Sequence, residues 1–296
     1  MNTSFDTFLE TAWNDHGDRP QEVADRLAAS HHLATAPEHI APFARLLTHV
    51  YGEHLGQWQR GIEELESLRG SAAFDGGDNV IGALRRSIAT LSYAAGNRTA
   101  IESLSTEDRV SVLAAVASAL AGRNRIGDAI TAYSDALGHA DGHLPASSPA
   151  VRALAIGGNN LASTLETKTR MPPETLAMVT AARAALKYWK QAGTWLEEER
   201  AHYRLARSLM QAGDALAAVQ SAQECIAVCQ RNSAPAFEQF FGYAALALAL
   251  HSARDVRGFA PARTQALALL DQLPQEERRW CESEAAALAA LASTTT

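Results

Sequence analysis

Residues Gly122 to Leu137 read "GRNRIGDAITAYSDAL", with two glycines, two arginines and Asp128 ahead of a run at helical spacing. Such a stretch is either a loop that cradles phosphate at a helix N-terminus or the bend of a helical hairpin. A phosphate loop needs Gly-x-x-x-x-Gly-Lys-Ser/Thr, with the lysine on the β- and γ-phosphates and the hydroxyl on Mg²⁺. Here Gly127 is followed by Asp128 and Ala129, and an aspartate at that place repels phosphate. The dinucleotide fingerprint fails as well, because it follows a strand. The residues before Gly122 are "SVLAAVASALA", a helix former. Asp128 fits better as a first-turn acid that complements the dipole of a second helix. The stretch is therefore expected to be a hairpin bend.

The hairpin has a second copy. "LAAVASALAGRNRIGDAITAYSDAL" aligns without a gap on "YRLARSLMQAGDALAAVQSAQECI" from Tyr203. Val116-Ala117 falls on Leu205-Ala206, Leu120 on Leu209, Ala129 on Ala218, Tyr133 on Ala222, and Ala136 on Cys225. Each copy is an apolar-faced helix, a bend with Gly or Asn, and a second helix with small residues where two helices cross closely.

This pattern resembles the tetratricopeptide repeat. Its consensus places are filled by Leu113, Val116, Ala117, Leu120, Asn124, Ala129, Tyr133 and Ala136 in one copy. In the other they are filled by His202, Leu205, Ala206, Leu209, Gly213, Ala218, Ala222 and Cys225. Three looser matches follow. "GQWQRGIEELESL" from Gly56 supplies a bend and second helix, with Phe43 to Leu55 as its first helix; "GGNNLASTL" leads through a longer bend, "TKTRMPPE", to Ala177, Ala181 and Ala184. "GYAALALAL" places Tyr243, Leu246, Ala247 and Leu250 before "SARDVRGFAP", expected to be another lengthened bend. The interval is about 40 residues where the consensus has 34. The resemblance implies an all-α fold, an α-α superhelix or solenoid of such hairpins, extending over the whole of 1–296. Within it, N-terminal helices occupy 1–42, hairpins 43–273 and a capping helix 274–296. That closing helix, "LPQEERRWCESEAAALAALA", is expected to turn Trp280, Leu288 and Leu291 inward.

Composition agrees. The chain has 296 residues, 47% of them hydrophobic, enough for a large core. Ala and Leu dominate over β-branched residues, a bias toward helix. A net charge of −7 without a basic cluster leaves no electrostatic footprint for nucleic acid or an anionic membrane. The longest apolar run, Phe240 to Leu250, is about half of the ~20 residues a membrane span needs. "MNTSFDTFLE" does not read as a secretory signal, and three cysteines make no disulfide framework, so a bacterial-type cytoplasmic location is expected.

Catalytic and metal motifs are wanting. His139, Asp141 and His143 share "GHADGHL", whose glycines read as a solvated loop; His31, His32 and His39 form a similar loose group. There is no His-Glu-x-x-His and no Gly-x-Ser-x-Gly. Cys225 and Cys229 lie one turn apart at places that read as structural. No catalytic residue, no metal site and no cofactor is expected.

What the resemblance does imply is a groove lined by the first helices. Its inward places fall on Arg200, Tyr203, Arg207 and Met210, with Arg204 adjacent; on Ile156, Asn159, Ser163 and Glu166, with Asn160 adjacent; and on Phe241, Ala244, Leu248 and His251. "GNNLA" resembles the start of peptide-binding repeats, where Asn amides contact the ligand backbone. Forked guanidinium groups beside a tyrosine fit a carboxylate. The expected peptide-binding residues are thus Asn159, Asn160, Ser163, Arg200, Tyr203, Arg204 and Arg207. The competing reading pairs Arg204 and Arg207 with Glu197 to Glu199 on a wet surface. The expected function is non-catalytic capture of a protein or peptide, one with an acidic segment. The alternative is a regulatory module that senses a signalling peptide or small molecule. Oligomeric state is left open, a homodimer through a terminal helix being one option.

Overall fold

The computed structural model describes residues 4–141 and 144–292. Its helices are α1 (Phe5–Asp15), α2 (Pro20–Ala29), α3 (Ile40–Thr48) continued by a π turn (His49–Leu55), α4 (Trp58–Ser67), α5 (Asp78–Ala94), α6 (Thr106–Gly122) and α7 (Ile126–Ala140). They continue as α8 (Pro149–Glu166), α9 (Pro172–Ala192), α10 (Trp195–Gln211), α11 (Ala215–Arg231), α12 (Ala236–Ser252), α13 (Val256–Gln272), α14 (Gln275–Arg278) and α15 (Glu282–Ala292). Among the described residues there is no strand, and α6 with α7, α10 with α11 and α12 with α13 pack as helical hairpins, so the fold is all-α.

The two copies aligned in sequence keep their register. In both, the first helix has 17 residues, α6 and α10. In both, the bend is carried by a residue at positive φ, Asn124 at 60° and Gly213 at 82°. A third hairpin, α12 and α13, repeats this design, its first residue Ala236 standing 41 positions after Trp195. Its bend is as short as the others, with Arg254 at φ 59°. The lengthened bend expected at "SARDVRGFAP" is therefore corrected: Val256 to Pro261 are helical. Asp255 caps the helix by accepting from the Gly258 N–H at 3.0 Å, and the helix runs on through Pro261, which has no backbone donor. At the crossings the small residues are fully buried, and Ala206, Ala222 and Ala245 of α10, α11 and α12 form one apolar cluster.

Gly122 answers to a close approach of backbone. A Cβ there would sit 2.6 Å from the Glu53 carbonyl oxygen, so the glycine lets the end of α6 lie against the π turn. Arg123 then donates to the His54 carbonyl at 2.6 Å, and Arg125 binds Asp128 at 2.6 Å. The basic and acidic side chains of the bend serve the fold.

The chain divides into two units, Met1–Gly157 and Gly158–Thr296, the boundary falling inside α8. In the first, Phe5 and Phe8 of α1 and Val23 and Leu27 of α2 join a core with Ile40, Phe43 and Leu47. In the second, Phe240, Leu250, Phe259 and Leu269 pack with Cys281 and Leu288 from the C-terminal segment. Trp280 is not part of that core. A 3-10 turn over Arg279–Cys281 puts Cys281 inward and leaves Trp280 66% exposed, against the expectation for it. α7 also runs further than expected, so Gly138 and His139 are helical; His143 lies outside the described residues. No described helix is long and apolar enough to cross a membrane.

Candidate functional site

All seven residues expected to bind peptide fall in the Gly158–Thr296 unit, on α8 and α10. Asn159, Asn160 and Ser163 are half-buried on successive turns of α8. Three residues on, Glu166 accepts from Arg204 at 2.6 Å and from the Ser208 hydroxyl at 2.8 Å, which ties α8 to α10. Arg207 stands 4.0 Å from the same carboxylate.

The arginines of α10 are answered by acids from other helices, not by Glu197 to Glu199 on their own. Arg200 forks onto Glu238 of α12, at 3.2 and 2.5 Å. Glu284 of α15 accepts from the Tyr203 hydroxyl at 2.6 Å and from Arg207, whose guanidinium also donates to the Tyr203 oxygen at 2.9 Å. Tyr203 meets the edge of Phe241 at a centroid distance of 5.4 Å. Burial raises the Tyr203 phenol above its ordinary range, so it stays a neutral donor. Glu284 is a residue that sequence reasoning misses. It stands in the Ala-rich "ESEAAALAALA", where periodicity marks only an apolar face.

α15 does more than close the core. A cavity of about 280 Å³ opens between α10, α12 and α15, lined by Arg207, Met210, Leu248, His251, Glu284 and Leu291 among others. Four of those six are inward places implied by the repeat resemblance. The volume lies near the lower bound of small-molecule pockets and suits one or two side chains.

Behind this face lies a buried polar group. Glu199 of α10 is fully buried, accepts from the Cys225 thiol at 2.9 Å, and leaves Oε2 without a hydrogen-bond partner among the described residues. Burial raises its carboxyl to about 7, the Cys225 hydrogen bond opposes this, and the negative Glu238 adds to it. A hydrogen bond with Cys229, burial and the Glu199 charge push the Cys225 thiol up. That thiol stays protonated, which is the opposite of nucleophile activation. His202 is held down to about 4 by burial and is neutral.

The fold and face define a class: helical-hairpin repeats with a polar, half-buried stripe on the first helices. No family model and no curated protein matches the chain. Among solved structures, two crystal structures of kinesin light chain TPR-like repeats from Podosopora anserina are similar, each at 15% identity and a TM-score of 0.48. One alignment covers 83% of this chain and 95% of that one, the other 85% and 96%.

Proposed function

We propose that this protein is a non-catalytic scaffold that captures an extended segment of a protein partner along the first-helix face of its Gly158–Thr296 unit. The observation that supports it is the cavity shared by Arg207, Met210, Leu248 and His251, four side chains from inward places of two successive hairpins. An apolar side chain of the partner enters there. Asn159, Asn160 and Ser163 of α8 meet its backbone with amide and hydroxyl groups that both donate and accept. An acidic residue of the partner is received at Arg200, whose side chain is 56% exposed even while paired to Glu238. Tyr203, Arg204 and Arg207 are set by Glu166 and Glu284 and form the shaped bed, so little rotamer entropy is lost on binding.

The test is recovery of partners from a native lysate by wild type, by Asn159→Ala/Ser163→Ala and by Ala287→Trp, a change at a lining residue of α15 that fills the cavity without removing a charge pair. Proteins recovered by wild type and lost by both variants, with helicity unchanged, support capture at this face. Equal recovery by all three would refute it. The sensing alternative draws on Glu284: a cavity occupant that displaced it would release α15. Hydrogen exchange in α15 that stays unchanged on ligand binding excludes that version.

A further inference from the structure

Three histidines of the Met1–Gly157 unit, absent from the motifs of the sequence, form a triangle. His16 follows α1 as its C-cap, His49 opens the π turn and His54 lies near its end. Their ring centroids stand 4.8 Å apart for His16 and His49, 5.0 Å for His16 and His54, and 4.8 Å for His49 and His54. One nitrogen of each lies within 4.8 Å of the other two.

The π turn makes this possible. In an α-helix, residues five apart point about 140° away from each other. The i to i+5 closure of a π turn brings the sixth residue back beneath the first, and such turns concentrate at functional sites. His49 and His54 so face each other, Nε2 to Nε2, at 3.1 Å. The wider turn is held by tertiary contacts: Gly122 lies on Glu53, and Arg123 binds the His54 carbonyl.

Two rings are already oriented from behind. His16 Nδ1 bonds the Trp13 carbonyl, and His49 Nδ1 lies 3.0 Å from Glu53 Oε2. A metal-bound histidine has this arrangement, one nitrogen donating to a carbonyl or carboxylate and the other left bare for the ion. Trp13 packs on His16 and His49 and walls the site on one side. All three rings are half-buried, accessible to an ion yet fixed in place.

We propose that His16, His49 and His54 bind a divalent transition-metal cation of the Zn²⁺ class, which departs from the sequence expectation of no metal site. Three imidazoles with Zn–N bonds of 2.0–2.1 Å in tetrahedral array have nitrogens about 3.4 Å apart. The His49–His54 spacing already fits, and His16 closes in by a small ring movement. His54 takes the tautomer with its proton on Nδ1. A fourth position is left for water or an exogenous donor, and the ion ties the end of α1 to the corner between α3 and α4. All-nitrogen donors on rigid rings favour Zn²⁺, Cu²⁺ or Ni²⁺ over Mg²⁺ and Ca²⁺, which need oxygen ligands.

The experiment titrates chelator-stripped full-length protein with Zn²⁺ by calorimetry, and with Co²⁺ by visible absorption. Wild type and His139→Ala are expected to take up one ion per chain with a tetrahedral Co²⁺ spectrum and a raised melting temperature. His49→Ala and His54→Gln are each expected to weaken binding by more than about 100-fold, and Glu53→Gln, a positioning residue, by about 10- to 100-fold. Circular dichroism checks that each variant folds. Absence of uptake by wild type overturns the proposal even if a variant fails to fold. Uptake unchanged in His49→Ala and His54→Gln places the ion elsewhere and also overturns it.

Discussion

Replacing Glu199 by Gln should change how the stability of the chain depends on pH. The folded carboxyl is pushed up to about 7 from an ordinary 4.5 by burial, with the Cys225 hydrogen bond opposing and the Glu238 charge adding. Below pH 4.5 the group is neutral in the folded and the unfolded chain, so its full contribution to stability is present. Between 4.5 and 7 the unfolded chain gives up a proton that the folded chain keeps, and the contribution is lost as pH rises through that window. At 1.36 kcal/mol per pH unit, the gap between 4.5 and about 7 is on the order of 3 kcal/mol. Glutamine keeps the shape and never ionises. Urea unfolding at pH 5, 6, 7 and 8 should therefore give nearly equal stabilities at pH 5, and a wild type weaker than Glu199→Gln at pH 8 by that order. His202, held down to about 4 from 6.5, acts in the opposite sense, its contribution being lost as pH falls below 6.5. It is common to both proteins and cancels in their difference, while in the variant its acid-side slope is no longer offset by Glu199. A difference between the two proteins that stays flat from pH 5 to 8 would refute the reasoning, because Glu199 would then ionise alike in both states.

Glu284→Gln should weaken the Tyr203–Arg207 bond network and leave the half-buried guanidinium with only Glu166, 4.0 Å away, as counter-charge, a loss of about 1–3 kcal/mol by denaturant unfolding. An unchanged midpoint would mean that α15 does not carry that load. Ala222→Leu should overpack the crossing with Ala206 and Ala245 and cost about 1–3 kcal/mol, read as a lower melting temperature. A neutral result there would deny the close approach of α10, α11 and α12.

The hairpins were legible because their signals are local. Ala129 and Ala218, or Leu120 and Leu209, stand at equal distances from a bend residue that must take positive φ, and spacing alone shows this. Val256 to Pro261 misled because a proline in a run reads as a break, whereas Asp255 caps the helix ahead of it and the helix continues through Pro261. Trp280 misled because a large aromatic reads as core, and the 3-10 turn shifted the inward place to Cys281. The candidate site was half legible. The stripe of Arg200, Tyr203, Arg204 and Arg207 follows from helical spacing, but the acids that meet it come from α8, α12 and α15, and no local pattern carries that information. The histidine triangle was hidden for a similar reason. His49 and His54 are on one face only where the helix widens to a π turn, and His16 is 33 residues from His49.

Site-specific photo-crosslinking tests the capture face most directly. A crosslinking amino acid is placed at Asn159, Met210 or Leu248 on the first-helix face, or at Leu216, which is 73% exposed on α11. Partner adducts at the first three positions and none at Leu216 are the expected result. Adducts at Leu216 with none at Asn159, Met210 or Leu248 would contradict the account.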